Sequence, residues 1–354
     1  MISSQLIQEA GSAVSSNGHS LTSPLGRGID APAAHPGPII WQARPAGSTD
    51  LVWRYDHNPI LGRRAIPCAQ AIFNSSVALL PDGRYVGAFR ADHLNGMPDL
   101  HIGWSHDGVK WDISNEAIQF QPDDLDLPRH EYAYDPRICR IGARYYLVWC
   151  AGYHGPTLGV AWTEDFEKFH RLENAVLPCN RNGVLFPRLI NGKYGLLSRP
   201  SDQGHTPFGE IFYSESPDLT HWGRHRHVMA SGSLWWESTK IGSGAVPIET
   251  PEGWLLFYHG VRSSCNGFVY SMGIALLDLD QPWKLRARLP HPILFPEEEY
   301  ECYGSVPNVV FPCAALEEAE TGRLAIYYGA ADTHMALAFA YRDELLQAVL
   351  EHRV

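Results

Sequence analysis

One pattern recurs five times along this chain: an apolar run of strand length, a polar loop, a second apolar run, then an acidic turn that often leads to an aromatic residue. The units are "YVGAFRADHLNGMPDLHIGWSHDGVKW" from Tyr85, "YYLVWCAGYHGPTLGVAWTEDFEKF" from Tyr145, "YGLLSRPSDQGHTPFGEIFYSESPDLTHW" from Tyr194, "WLLFYHGVRSSCNGFVYSMGIALLDLDQPW" from Trp254, and a degenerate "LAIYYGAADTHMALAFAYRDEL" from Leu324. Their starts lie 60, 49, 60 and 70 residues apart, too uneven for a solenoid of identical coils but suited to four-stranded blades with variable loops. The pattern predicts an all-β, five-bladed β-propeller over residues 46–354. Residues 1–45, rich in Ser, Gly, Ala and Pro without a sustained apolar period, read as a flexible or draped arm. The C-terminal "DELLQAVLEH" is the clearest helix candidate.

In a propeller, loops at matching positions of successive blades converge on one cavity. The loops leaving the first run of each unit are "FRAD", "GYHGP", "SRPSDQGHTP", "YHGVRSSCNG" and "YGAADTH", far richer in Arg, His and Asp than the strands. This phase predicts a shared polar site. The charges available to it are the carboxylates Asp135 and Asp332 and the cations Arg90, Arg181, Arg199, Lys240 and His259, a combination that suits acid catalysis beside a bound anion. Asp135 precedes Pro136, which favours an extended backbone; by itself it reads first as a turn residue, with the acid of an enzyme as the rarer alternative. Arg90 and Arg199 each follow a strongly apolar run, where a half-buried guanidinium needs an anion, either a ligand or a structural carboxylate.

The net charge of −11 offers no general attraction for nucleic acid or an anionic membrane, so an anionic ligand must meet a local cluster. Seven scattered cysteines without a C-x-x-C pair point to a reduced, cytoplasmic chain. No apolar segment is long enough to span a bilayer. The 17 histidines form no H-x-x-x-H pair on a helix and no Cys/His set at zinc spacing, so neither a metal nor another cofactor is expected.

An ordered set of motifs, including "NPILGR", "IFNSSV", "AFRAD", "YDPRI", "NRNGVLFPRLINGKYGLLSRPSD", "GHTPFGEIFYSESPD", "TKIGSGAVPIETPEGWLLFYHGV" and "IYYGAADT", runs from about Asn58 to Thr333. By these motifs the chain resembles the β-mannoside phosphorylases of glycoside hydrolase family 130, most of all the members acting on mannosyl-glucose. The resemblance implies a five-bladed propeller that cleaves β-1,4-mannosyl-glucose, or a related β-mannoside, with inorganic phosphate as co-substrate. Inversion would then give α-D-mannose 1-phosphate and glucose. It further implies Asp135 as the acid, acting through a sugar hydroxyl, and a phosphate cradle of Asn74, Ser75, Arg90, Arg181, Arg199, Lys240 and His259. Tyr134, His205, Tyr270 and Asp332 would contact the sugars, and Arg181 is open to either role.

Phosphate is already a nucleophile, so such an enzyme needs one acid and a cationic cradle, whereas an inverting hydrolase needs a second carboxylate as base. Glu237 of "WWESTK" leaves the hydrolase alternative open, as does a phosphorylase with a mannose or manno-oligosaccharide acceptor. A non-catalytic glycan-binding propeller would need no cationic cluster beside an acid. The partners expected are a disaccharide or oligosaccharide and phosphate, with no nucleic acid and no membrane. A homo-oligomer packed through the arm is compatible with the chain.

Overall fold

The computed structural model describes residues 38–354 apart from 122–126, 128, 203–207 and 266. Among the described residues, twenty-three strands form five sheets arranged as the blades of a propeller, antiparallel except where Phe120–Gln121 pairs in parallel with Phe169–Arg171. Blade 1 runs from its innermost strand outward through Ala69–Leu79, Tyr85–His93, Pro98–Ser105 and Asp112–Ala117. Blades 2, 3 and 4 follow with innermost strands Ala133–Ile141, Asn180–Leu185 and Lys240–Ser243. Blade 5 starts with Val310–Glu318 and takes its outermost strand, Val52–Arg54, from the other end of the chain. There Val52, Trp53 and Arg54 pair with Ala340, Phe339 and Ala338, which closes the ring.

Closure leaves every blade sandwiched between two others, so both faces of most strands are buried. Among the described residues the core accordingly divides into five large apolar clusters, one at each junction between adjacent blades, and a small sixth of Val309, Phe311 and Cys313. In the strand Tyr85–His93, Tyr85, Phe89 and Ala91 face blade 5 while Val86 and Ala88 face blade 2. Period-2 alternation therefore sends apolar residues to both sides, which explains continuous apolar runs such as "YYLVWCAG" in place of alternating ones. The acidic turns of the repeat have a common cause as well. Ser105, Thr163 and Ser216 each accept a backbone N–H three residues on, while Asp107, Asp165 and Asp218 each accept two further ones and close the turn after the third strand.

Each unit of the repeat begins at the second strand of its blade, and the innermost strands fall in the segments between units. Those strands are short or interrupted by bulges, which weakens their apolar signature. The helix expected at the C-terminus is present as Arg342–Leu350, packing Leu345 and Val349 onto the junction between blades 4 and 5. Most of the arm lies outside the described residues; of its described part, Ile39 is buried and Trp41 packs on Trp53, Phe339 and Tyr341 of blade 5.

Near the axis, the buried Arg137 of blade 2 donates to the carbonyls of Gly244 (2.5 Å), Pro136 (2.7 Å) and Pro312 (3.2 Å), tying blades 2, 4 and 5 together. Among the described residues no helix is long and apolar enough to cross a membrane.

Candidate active site

At one end of the propeller axis all five blades line a cavity of about 580 Å³. What re-aims its polar residues is a repeated irregularity. The innermost strands of blades 1, 2 and 3 each break register, between Phe73 and Ser76, Tyr134 and Arg137, and Arg181 and Val184. The residues within these bulges, Asn74, Asp135 and Asn182, have positive φ of 44°, 51° and 54°. Asn and Asp enter this left-handed region more readily than other side chains, and a bulge turns a side chain off the sheet. Asp135 is thus not extended, as its place before a proline predicts; the bulge overrides that local preference. Gly329 of blade 5 is required by this arrangement, because a Cβ there would lie 1.7 Å from Asn74 Oδ1.

Asp135 accepts hydrogen bonds at one oxygen, Oδ1, from Asn74 Nδ2 (3.0 Å) and Arg90 Nη1 (2.9 Å). Among the described residues no donor reaches its other oxygen. Arg90 also donates to Asp92 at 2.9 Å and lies over the Phe73 and Tyr134 rings. Although burial pulls its pKa down, the carboxylates of Asp135, Asp92 and Asp332 raise it above the usual arginine value. Asp332, at φ 44° in the turn between the second and third strands of blade 5, is the second carboxylate on the wall. Burial, reinforced by Asp135 and Asp92 and opposed by Arg90, pushes its carboxyl up to about 6.

Arg181, Arg199 and Lys240 behave differently. Arg181 Nε donates to Tyr134 Oη (3.2 Å), and Arg199 donates to Ser201 Oγ (3.1 Å) and His259 Nε2 (3.0 Å). The Lys240 ammonium lies over the rings of Phe268 (4.7 Å) and Tyr270 (5.3 Å). Among the described residues none of the three has a carboxylate within ion-pair distance. Burial, then the charges of Arg199 and Arg181, bring the Lys240 ammonium down to about 8. Burial and the same repulsion lower Arg199. The wall carries four cations against two carboxylates, a positive focus within a chain of net charge −11.

Of the residues singled out from the sequence, Asn74, Arg90, Tyr134, Asp135, Arg181, Arg199, Lys240, Tyr270 and Asp332 all line the cavity. Ser75 and His259 lie behind the wall. Ser75 is fully buried and donates to the Phe73 carbonyl at 3.0 Å. His259 is buried, held neutral by burial and by Arg199 and Lys240, and accepts from Arg199, so it positions that guanidinium. His205 lies outside the described residues. Glu237 does not line the cavity: it is fully buried, paired with Arg288, and accepts from Tyr258 Oη at 2.9 Å.

Sequence reasoning missed Asn182, whose buried Oδ1 has no partner among the described residues, and the wall residues Ser201, Thr239, Phe268, Val306, Val309 and Phe311. The only signal for Asn182 was its Asn-Gly step in "NRNG", ordinarily a turn. Val306 and Val309 carried none.

The fold is thus a five-bladed propeller whose axial cavity sets three cations without carboxylate partners among the described residues beside a carboxylate held by two donors. The chain belongs to glycoside hydrolase family 130: the family profile, described as β-1,4-mannooligosaccharide phosphorylase, matches residues 38–351. Over 320 residues it is 51% identical to the β-1,4-mannooligosaccharide phosphorylase of Ruminococcus albus, covering 89% of this chain and 95% of that one. It is 28% identical to the 4-O-β-D-mannosyl-D-glucose phosphorylase of Bacteroides fragilis, covering 86% of this chain and 82% of the relative. Among solved structures, β-1,2-mannobiose phosphorylase from Listeria innocua, in complex with β-1,2-mannobiose, superposes with a TM-score of 0.75 at 27% identity, covering 84% of this chain and 99% of that one.

Proposed function

We propose that this protein is an inverting phosphorylase that cleaves the terminal mannosyl unit of a β-1,4-mannoside with inorganic phosphate, releasing α-D-mannose 1-phosphate. The observation that carries this reading is the set of three cations, Arg181, Arg199 and Lys240, that share the cavity with Asp135 and, among the described residues, lack carboxylate partners. Holding like charges together in a partly desolvated site is unfavourable without an anion, and phosphate supplies one. With phosphate in that cradle, attack comes from one face of the sugar while Asp135, through its free oxygen and a sugar hydroxyl, protonates the leaving group. One displacement inverts the anomeric centre once. Tyr134, Tyr270 and Asp332 serve the sugars, the aromatic faces against C–H groups and the carboxyl group with hydroxyls.

Family membership and the 51% identity to a mannooligosaccharide phosphorylase, against 28% for the mannosyl-glucose enzyme, favour a β-1,4-manno-oligosaccharide over mannosyl-glucose as substrate. A hydrolase using Glu237 as base has no support in the geometry, since that carboxylate is closed in its pair with Arg288.

Incubation with β-1,4-mannobiose, β-1,4-mannotriose and mannosyl-β-1,4-glucose, with and without phosphate, tests the proposal by proton NMR. The expected result is α-mannose 1-phosphate only when phosphate is present, formed fastest from the manno-oligosaccharides. Free mannose with phosphate unconsumed would establish hydrolysis instead. The β-phosphate would establish a retaining route, and a preference for mannosyl-glucose would reverse the acceptor assignment.

A further inference from the structure

Blade 1 brings together three side chains with metal-binding chemistry that the active site does not use. Cys68 precedes the innermost strand, His93 ends the second strand and His101 lies in the third. The Cys68 thiol and one ring nitrogen from each histidine lie within 4.8 Å of one another. The two rings meet edge to face, with His93 Nε2 and His101 Nε2 2.8 Å apart.

His101 is fully buried, and its other nitrogen, Nδ1, donates to the Ser114 carbonyl at 2.9 Å. That bond assigns the ring hydrogen to Nδ1 and leaves a lone pair on Nε2, facing His93. An imidazole anchored from behind on a backbone carbonyl is the arrangement by which proteins present histidine to a metal. A hydrogen bond between the two rings would account for the histidines. It would leave out the thiol at the same point, which donates to the Asn115 carbonyl at 3.7 Å. Cys68 is also half-exposed, which gives an ion a path from solvent.

We propose that Cys68, His93 and His101 bind one Zn²⁺ ion in a tetrahedral site completed by water. One thiolate with two imidazoles is a zinc donor set, with Zn–N of about 2.0–2.1 Å and Zn–S of about 2.3 Å. These bond lengths separate the two nitrogens by about 3.3 Å, so the rings part by roughly half an ångström and the thiol closes by a side-chain rotation. Cys68 releases its thiol proton to solvent, His93 carries its hydrogen on Nδ1, and His101 is unchanged, so one proton leaves for each ion bound. His93 follows Asp92, the partner of Arg90, so the ion pins the end of the strand that carries both residues. Its role is to tie the segment before the innermost strand to the second and third strands, apart from the chemistry.

The test uses the full chain, stripped with a chelator and reloaded with Zn²⁺ or Co²⁺. The expected result is one zinc per chain after gel filtration, by plasma mass spectrometry, and a higher Tm than the stripped protein. Co²⁺ should give thiolate-to-metal charge-transfer absorption and intense tetrahedral visible bands. Cys68→Ser and His93→Ala should each lose more affinity than the roughly 10–100-fold that removal of an outer-shell partner costs, and should abolish the Tm difference, with turnover retained. The exposed thiols Cys179 and Cys265 provide the control, since their serine variants should bind as the wild type does. Failure of the wild type to retain zinc, or binding and charge transfer that persist in both Cys68→Ser and His93→Ala, would overturn the site.

Discussion

Arg90 of blade 1 donates to Asp135 of blade 2 across 2.9 Å, from a guanidinium that is itself held at 2.9 Å by Asp92. The candidate acid is therefore oriented from the neighbouring blade. Asn74 binds the same oxygen, so among the described residues the other oxygen has no donor.

Replacing Asp135 with Asn keeps the size and the contact to Arg90 but removes the transferable proton. Turnover should fall at least about 10²-fold, the lower range for a lost general acid, with an unchanged circular dichroism spectrum and Tm. A folded Asp135→Asn protein of near-normal rate would remove Asp135 from the mechanism.

Lys240→Ala should weaken the use of phosphate far more than it weakens the fold. Losing one cation from a desolvated anion site costs about 2–5 kcal/mol, read as a fall in kcat/KM for phosphate with the sugar KM little changed. Stability should hold or improve, because one of the mutually repelling charges is gone.

Lys240 also predicts a pH limb. Its pKa, brought down to about 8, means that the free protein loses this charge as pH rises through 8, while phosphate remains a dianion. The KM for phosphate should therefore climb between about pH 8 and pH 9.5, and Lys240→Arg should move the climb to higher pH. A flat phosphate KM across that range would take Lys240 out of the cradle.

Asp332 should show function opposing stability. With its carboxyl raised to about 6, the folded protein holds this proton more tightly than the unfolded chain does. Stability is thus lost as pH rises from about 4 to about 6 and stays lower above that. Asp332→Asn should raise stability by about 1–3 kcal/mol at pH 7.5, have no such effect near pH 4, and reduce kcat/KM for the sugar. Urea denaturation at the two pH values separates this from a general packing effect.

Arg137→Met retains much of the side-chain volume while leaving the carbonyls of Gly244, Pro136 and Pro312 without their donor. It should lower the unfolding free energy by about 2–4 kcal/mol. An unchanged denaturation midpoint would show that the axial tie contributes nothing.

How far the site was legible follows from how each residue reaches it. Arg90 and Arg199 end apolar runs at the same phase of the repeat, which made them candidates for a common cavity while leaving a structural carboxylate pair open for each; both line the cavity. Asp135 could be named only through the family motif, because its local sequence argues for an extended turn residue while the bulge puts it at φ 51°. Whether a cation meets the cavity or serves the wall was not legible. His259 and Arg199 each follow an apolar run in sequence, yet only Arg199 lines the space, while His259 is fully buried and accepts a hydrogen bond from it.

The sequence by itself determined the five-fold repeat, the acidic turns, the continuous apolar runs and the inventory of charges, because these are carried by residues near one another in the chain. Only the tertiary structure decided the rest. Val52–Arg54 closes the blade that ends near Tyr341, three bulges turn Asn74, Asp135 and Asn182 inward, and Cys68 meets His93 and His101. Each of these depends on the distance between strands whose separation along the chain carries no periodic signal, and ring closure is what brings those strands into register.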